Sequence, residues 1–104
     1  MSEREGDRTV AELPEDVDLY TTASLRVAVE RVIDEGCRHL VLDASRTQHL
    51  DSTGVSALVG WYHRLERNGG TLAVTGLNDG LLRMLTMLGL DTVMTLEPGT
   101  APSS

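Results

Sequence analysis

His49-Leu50-Asp51-Ser52-Thr53-Gly54-Val55 is the stretch of this 104-residue chain that decides the fold. It places a carboxylate, two neighbouring hydroxyls and a glycine where a polar loop is predicted to pass into a helix. The start of a helix carries unpaired backbone N–H groups and a partial positive charge. The stretch is therefore suited to a capping side chain, a bound anion or a covalently attached phosphate.

Strand and helix signals alternate on both sides of this stretch. Short apolar runs predict strands at residues 9–13, 39–43, 71–75 and 92–96, with a polar loop over 44–51. Helices are predicted from Thr21 or Thr22 to about Glu35, from Ser52 to Arg67, and from an Asn78 cap to Gly89. The order β-α-β-α-β-α-β predicts an α/β domain whose helices cross over a largely parallel sheet.

Length and composition predict a single small domain. A chain of 104 residues buries one core and little more, and we place the domain at residues 1–96. Residues 97–104 are rich in proline, glycine and serine, which predicts a disordered tail. Because only 3% of the residues are aromatic and none is Phe, Leu, Val and Met have to build the core.

The net charge, the positions of Cys and His, and the absence of a long apolar run are unfavourable for several classes of function. The formal net charge of −7 is unfavourable for a nucleic-acid or anionic-membrane surface, since phosphates need concentrated Lys and Arg. The lone Cys37 excludes an internal disulfide, and the scattered His39, His49 and His63 show no zinc spacing. The N-terminus is charged and no apolar run approaches about 20 residues. We therefore expect a cytoplasmic protein with no membrane segment, metal or cofactor.

The helix predicted to follow Asp51 has two different faces. At ~100° per residue, the face toward the sheet is predicted to hold Val55, Leu58, Val59, Tyr62 and Leu65. The opposite face is predicted to hold Ser52, Thr53, Ser56, Gly60, His63 and Arg67. Trp61 falls at the border and is predicted to be partly exposed. The small residues on the outer face would let a partner protein approach the backbone, although an ordinary solvated face explains the same pattern.

Three interpretations of Asp51-Ser52-Thr53 arise from the residue types. The first is a helix cap. The second is covalent catalysis by Ser52, but His63 would lie ~16 Å along the helix, and no group is predicted to orient His49. The third is a phosphorylation switch, because a helix N-terminus tolerates a phosphate while a docked partner would not. Residue types and spacing leave the cap and the switch open.

Several segments together are similar to a known family. Leu50-Asp51-Ser52-Thr53-Gly54-Val55, followed by Leu58-Val59-Gly60, resembles the signature and helix of the STAS-domain anti-anti-sigma factors, or anti-sigma factor antagonists. Further segments that resemble the family are Glu15-Asp16-Val17-Asp18 with Tyr20-Thr21, Asn68-Gly69-Gly70-Thr71-Leu72, and Leu85-Thr86-Met87-Leu88-Gly89-Leu90. The resemblance covers residues 9–96 and implies the STAS fold, a small, mixed, mostly parallel sheet with helices packed against it.

The resemblance implies a binding protein and not an enzyme. The unphosphorylated domain would bind an anti-sigma factor, typically a serine kinase, and so free a sigma factor. The kinase would phosphorylate Ser52, the serine directly after the aspartate, and a phosphatase would reverse this. Asp18 matches a family aspartate near the partner surface. The predicted partner-binding residues are Asp18, Asp51, Ser52, Thr53, Ser56, Gly60 and His63.

The chain also departs from the family pattern. Glu15 stands where the family has glycine, and only eight polar residues precede Thr9, so the first strand must be short or absent. The final helix is expected to be missing because prolines interrupt residues 97–104. An exposed sheet edge is one route to a homodimer. The alternatives are a STAS scaffold or transporter accessory subunit that binds constitutively through the 52–67 helix, and a small serine hydrolase, which the geometry disfavours.

Overall fold

The computed structural model describes residues 2–99, with side chains from Gly6 onward. This part of the chain holds seven strands and three α-helices. In chain order they are β1 (Ser2–Glu5), β2 (Arg8–Glu12), β3 (Asp16–Val17), α1 (Leu19–Asp34), β4 (His39–Asp43), β5 (His49–Leu50), α2 (Ser52–Arg67), β6 (Thr71–Leu77), α3 (Asp79–Met87) and β7 (Thr95–Pro98). A single 3-10 turn, Leu90–Thr92, links α3 to β7.

The main sheet has five strands in the order β1-β2-β4-β6-β7. β2, β4, β6 and β7 run parallel, while β1 is antiparallel to β2. The register sets Leu42 between Ala11 and Val74, and the leucine and valine are buried under the helices. Val29 of α1 and Leu65 of α2 belong to the same core. The predicted α/β class and mostly parallel sheet are confirmed.

Several predicted elements agree closely with the structure. The predicted strand 39–43 is β4, and α2 has the predicted bounds Ser52–Arg67. Asn78 caps α3 through Oδ1, which accepts a hydrogen bond from the Leu81 N–H at 2.8 Å. Apolar periodicity and a short polar cap were strong signals for these elements because both arise within a few residues of sequence.

Other elements differ from the prediction. β1, β3 and β5 were missed, although β1 is as short as the departure from the family pattern implied. The last strand begins at Thr95 instead of Thr92, because the 3-10 turn holds Thr92, whose Oγ1 donates to the Gly89 carbonyl at 2.6 Å. β7 also continues to Pro98, into the segment predicted as a tail, and residues 100–104 of that segment lie outside the described residues.

Asp18, and not Thr21 or Thr22, caps α1. Its Oδ1 accepts hydrogen bonds from the N–H groups of Tyr20 at 2.9 Å and Thr21 at 3.0 Å. Thr21 Oγ1 in turn accepts from the Asp18 N–H at 2.9 Å, which completes a capping box. The backbone N–H of Thr21 is the main cause that lowers the pKa of Asp18 below 3.8. The aspartate prevails because its carboxylate reaches two free N–H groups at once.

The buried face of α2 is rotated about the helix axis from the predicted face, toward Gly54, Ala57 and Trp61. Trp61 is 3% exposed and lies in the core, not at the border. Gly54 and Ala57 are also buried, whereas Val55, Val59 and Tyr62 are only half-buried. Gly54, which has no side chain, and Ala57, which has only a methyl group, let α2 approach its neighbours closely, and Trp61 lies on the same buried side of the helix.

Gly54 fixes how closely α2 rests on β3 and β5. A Cβ atom at this position would lie 2.5 Å from Leu50 Cδ1, 2.8 Å from Val17 Cγ1 and 3.1 Å from the Val17 carbonyl oxygen. The first contact is with the end of a flexible side chain, but the last is with backbone that cannot easily move. The glycine is therefore needed for space, since no strained backbone angle is involved.

We expect Gly54→Ala to destabilise the domain by about 1–3 kcal/mol, because an extra methyl group overpacks a closed site. Gly60→Ala is a matched control on the same helix, since a Cβ there meets no atom within 4 Å. The control should gain up to about 1 kcal/mol from helix propensity. Urea denaturation of the three proteins measures both values. Equal stability of the Gly54→Ala variant and the parent would contradict the close-approach argument.

We also expect Asp18 to contribute to the acid sensitivity of the fold. Because folding lowers its pKa, its contribution is fully present above the unfolded value near 3.8 and is lost as the pH falls through the folded value. Asp18→Asn keeps a good capping residue without a titrating group. The melting temperature of this variant should therefore fall less than that of the parent between neutral pH and pH about 3. An equal fall of the melting temperature in both proteins would show that Asp18 does not contribute to the acid sensitivity of the fold.

Candidate functional site

The pairing of β3 with β5 sets two helix N-termini side by side. Val17 lies opposite Leu50 in this parallel pair, and the residue directly after each strand caps a helix. Asp18 caps α1, and Asp51 caps α2 by accepting the Gly54 N–H at 3.0 Å. The Asp51 N–H donates to the Val17 carbonyl at 3.1 Å. The two predicted aspartates are therefore brought together by a two-residue sheet that sequence patterns did not reveal.

Ser52 is the first residue of α2 and is exposed. Its hydroxyl forms no hydrogen bond with any of the residues that the structure describes. Asp51 supplies the cap, so the capping interpretation applies to the aspartate and leaves the serine hydroxyl without a structural task. An exposed hydroxyl at a helix N-terminus is open to modification, and the helix end favours a negative group there.

The remaining predicted residues on α2 lie along its outer face. Ser56, Gly60 and His63 are exposed, while Thr53 is half-buried. His63 packs its ring near that of Tyr62, with centroids 5.2 Å apart. The exposed small residues thus form a continuous stripe that starts at Ser52, as the helical wheel predicted. The axial rise still places His63 ~16 Å from Ser52, too far for a catalytic base.

An apolar groove lies beside Ser52 and was not predicted. It occupies about 390 Å³ between the start of α2 and the end of α3. We name it the Ser52 groove; its lining residues are Leu50, Asp51, Ser52, Val55, Ser56, Met84 and Leu88. Leu88 is 56% exposed, and neighbouring Met87 is 79% exposed. Uncovered side chains of this size are typical of surfaces that bind another protein.

The surroundings of the Ser52 groove are acidic. Parallel strands end at one edge of a sheet, so the helices that follow them begin there too. Asp51 lines the groove, and Asp18 lies beside it because Val17 and Leu50, the residues before the two aspartates, are register partners. A molecule that docks here meets an apolar patch within a negative field.

His49 does have an orienting carboxylate, contrary to our expectation. Its Nδ1 lies 2.8 Å from Asp16 Oδ1, and the two residues are register partners between β3 and β5. The side chains are 79% and 55% exposed, so the pair lies in water and not in a closed catalytic pocket. We interpret the contact as a cross-strand pair that helps to set the register of the two short strands.

Two further properties bear on the chemistry of this surface. Within residues 2–99, no group of three His, Cys, Asp or Glu side chains is arranged to hold a metal ion. In the same range, no helix combines the length and the apolar character needed to cross a membrane. The site offers hydroxyls, carboxylates and apolar surface, which suit recognition of a protein partner.

Comparison with known proteins places the chain in a family. The family described as "Mlab, STAS domain" matches residues 1–97. An anti-sigma F factor antagonist of Paenibacillus polymyxa is 30% identical over 86 residues, which are 82% of this chain and 74% of that protein. An anti-sigma factor antagonist from Mycobacterium paratuberculosis has a solved structure that is 25% identical, with a TM-score of 0.83 over 96% of this chain and 85% of that one.

A third comparison concerns the fold alone. The phosphorylated form of SpoIIAA, a cell fate determinant of Bacillus, is 19% identical and has a TM-score of 0.75 over 92% of this chain and 88% of that one. The family match over residues 1–97 and the 30% identical relative together decide the assignment. The chain belongs to the STAS-domain family of anti-sigma factor antagonists, which are regulatory binding proteins and not enzymes.

Proposed function

We propose that this antagonist binds an anti-sigma factor of the serine-kinase type through the surface around Ser52, and that phosphorylation of Ser52 releases it. The unphosphorylated form frees a sigma factor in the cytoplasm, and a phosphatase restores it. The observation that carries the proposal is the exposed Ser52 hydroxyl, which lacks a partner among the described residues and borders the Ser52 groove.

Electrostatics and desolvation supply the switch. A phosphate on Ser52 adds about −1.5 to −2 charge next to the Asp51 carboxylate. The positive end of α2 tolerates this charge in the free domain, so the fold persists. A partner that covers the Ser52 groove would have to desolvate the phosphate against apolar side chains such as Val55 and Leu88. Binding therefore weakens while the domain stays folded.

The same surface specifies the chemistry of the partner. An apolar anchor on the anti-sigma factor would fill the Ser52 groove, and Lys or Arg around it would face the carboxylates of Asp18 and Asp51. The small residues Ser56 and Gly60 extend this contact along α2 because they let the partner approach the helix closely. The phosphorylated form of a Bacillus relative with the same fold supports the view that such a domain can carry a phosphate.

A constitutive binder is the second candidate. The STAS domain that matches residues 1–97 also suits a scaffold or transporter accessory subunit, which would bind its partner through the same α2 face without phosphorylation of Ser52. A homodimer through a sheet edge also stays a prediction. At the β7 edge, Pro98 has no N–H to donate, which limits strand addition there.

Phosphorylation is tested by intact mass after incubation with an anti-sigma kinase captured from the source cell and ATP. We expect a gain of one phosphate on the parent protein and none on Ser52→Ala, because Ser52 is the exposed hydroxyl at the N-terminus of α2. Thr53→Ala is the matched control and should be modified like the parent. Tight binding without any gain in mass would favour the constitutive alternative.

The charge switch is tested by calorimetry with the same anti-sigma factor. Ser52→Asp should weaken binding about tenfold or more, equivalent to ~1.4 kcal/mol, whereas Ser52→Ala should bind nearly as well as the parent. Ser24→Asp adds the same charge to α1 on the flank away from α2 and should have little effect. If Ser52→Asp and Ser52→Ala bind with equal affinity, charge at Ser52 does not control the interaction.

A further inference from the structure

A second groove runs along the flank of α1 that faces away from α2. On the α2 side, Arg64 pairs with Glu30 at 4.0 Å and with Asp34 at 2.7 Å. The opposite flank of α1 has no helix of the described chain against it, and it overhangs β2. The small side chains of Ala11 and Ala28 leave a cavity of about 290 Å³ there. We name it the α1 flank groove.

The walls of the α1 flank groove are mostly apolar, and Thr9 and Glu12 are the polar residues that line it. Leu25, Val29 and Val32 come from the helix, and Leu40 comes from the sheet. At its outer end the groove opens into a wider cleft lined by Thr21, Ser24, Glu12 and Arg46, among others. Leu25 and Val32 mark the two ends of the groove, so it follows ~10 Å of the helix, and the cleft extends this path to Thr21. Its shape suits a linear molecule lying along α1.

Thr9 provides a second and independent sign of a ligand. Its side chain lines the inner part of the groove, the residue is 1% exposed, and its Oγ1 has no hydrogen-bond partner among the described residues. A buried hydroxyl without a partner is unfavourable, and native structures nearly always provide one. A ligand oxygen at the inner end of the groove would satisfy it.

The charges at the opening decide against an ionic ligand. Glu12 lines both the groove and the cleft, whereas Arg46 lines the cleft alone, so an anion in the groove would face a carboxylate and a cation at its mouth would face Arg46. We propose that the α1 flank groove binds a linear, uncharged molecule with one hydroxyl or carbonyl group, such as a medium-chain alcohol or ketone. Its oxygen pairs with Thr9 Oγ1, and its hydrocarbon chain lies against Leu25 and Ala28. This site is separate from the Ser52 groove and does not depend on the proposed switch.

The test is a titration of the ¹⁵N-labelled full chain with 1-octanol, 2-octanone and sodium octanoate, followed by amide chemical shifts. We expect saturable shifts confined to β2, α1 and the part of β4 around Leu40 for the alcohol and the ketone. Octanoate should bind at least about tenfold more weakly, because its carboxylate would have to be desolvated beside Thr9. No saturable shift with the alcohol or the ketone, or shifts spread evenly through the core, would overturn the proposal.

Two threonines give a matched pair of variants. Thr9→Val should weaken 1-octanol binding about 2–10-fold, since one hydrogen bond is lost without a change in shape. Thr22→Val removes another buried hydroxyl without a partner among the described residues, but outside the groove, and should leave the affinity unchanged. Ala28→Leu should fill the groove and abolish binding in a folded domain. Equal affinities of the Thr9→Val and Thr22→Val variants, or undiminished binding by Ala28→Leu, would contradict the site.

Discussion

The parallel contact between β3 and β5 is the constraint on which the functional surface depends. Only two residues on each side take part, yet the hydrogen bond from Asp51 to the Val17 carbonyl fixes the start of α2 against the start of α1. Gly54 then allows the first turn of α2 to rest on Val17 and Leu50 without a steric clash. The positions of both capping aspartates, of Ser52 and of the apolar groove beside it follow from this contact.

Asp51 and Ser52 divide two tasks that a helix start often combines in one residue. The aspartate holds the Gly54 N–H and therefore stabilises the helix. The serine is left exposed, so a change in its chemistry alters the surface without removing a structural hydrogen bond. This division explains how one position could act as a switch in a domain of marginal size, where the loss of a cap would matter for folding.

Sequence patterns predicted the parts of the fold that local physics determines. The bounds of α2 and the Asn78 cap followed from apolar spacing and short polar side chains. β3 and β5 were missed because a two-residue strand has no periodicity to detect. Asp18 was overlooked as a cap because Thr21 and Thr22 are also good capping residues, and only the geometry decides among them. The burial of Trp61 and the positions of both grooves depend on how the helices pack on one another and on the sheet, which sequence spacing does not encode.

The position of Ser52 in the first turn of α2 has a consequence for the enzyme that would modify it. A residue in a helix that begins directly after β5 and is held against β3 cannot extend into a cleft as a flexible peptide does. Recognition would therefore rest on the shape of the folded domain and not on a linear motif. A synthetic peptide that copies residues 49–55 would lack β3, α1 and the neighbouring aspartate Asp18, and with them most of what distinguishes this serine from any other.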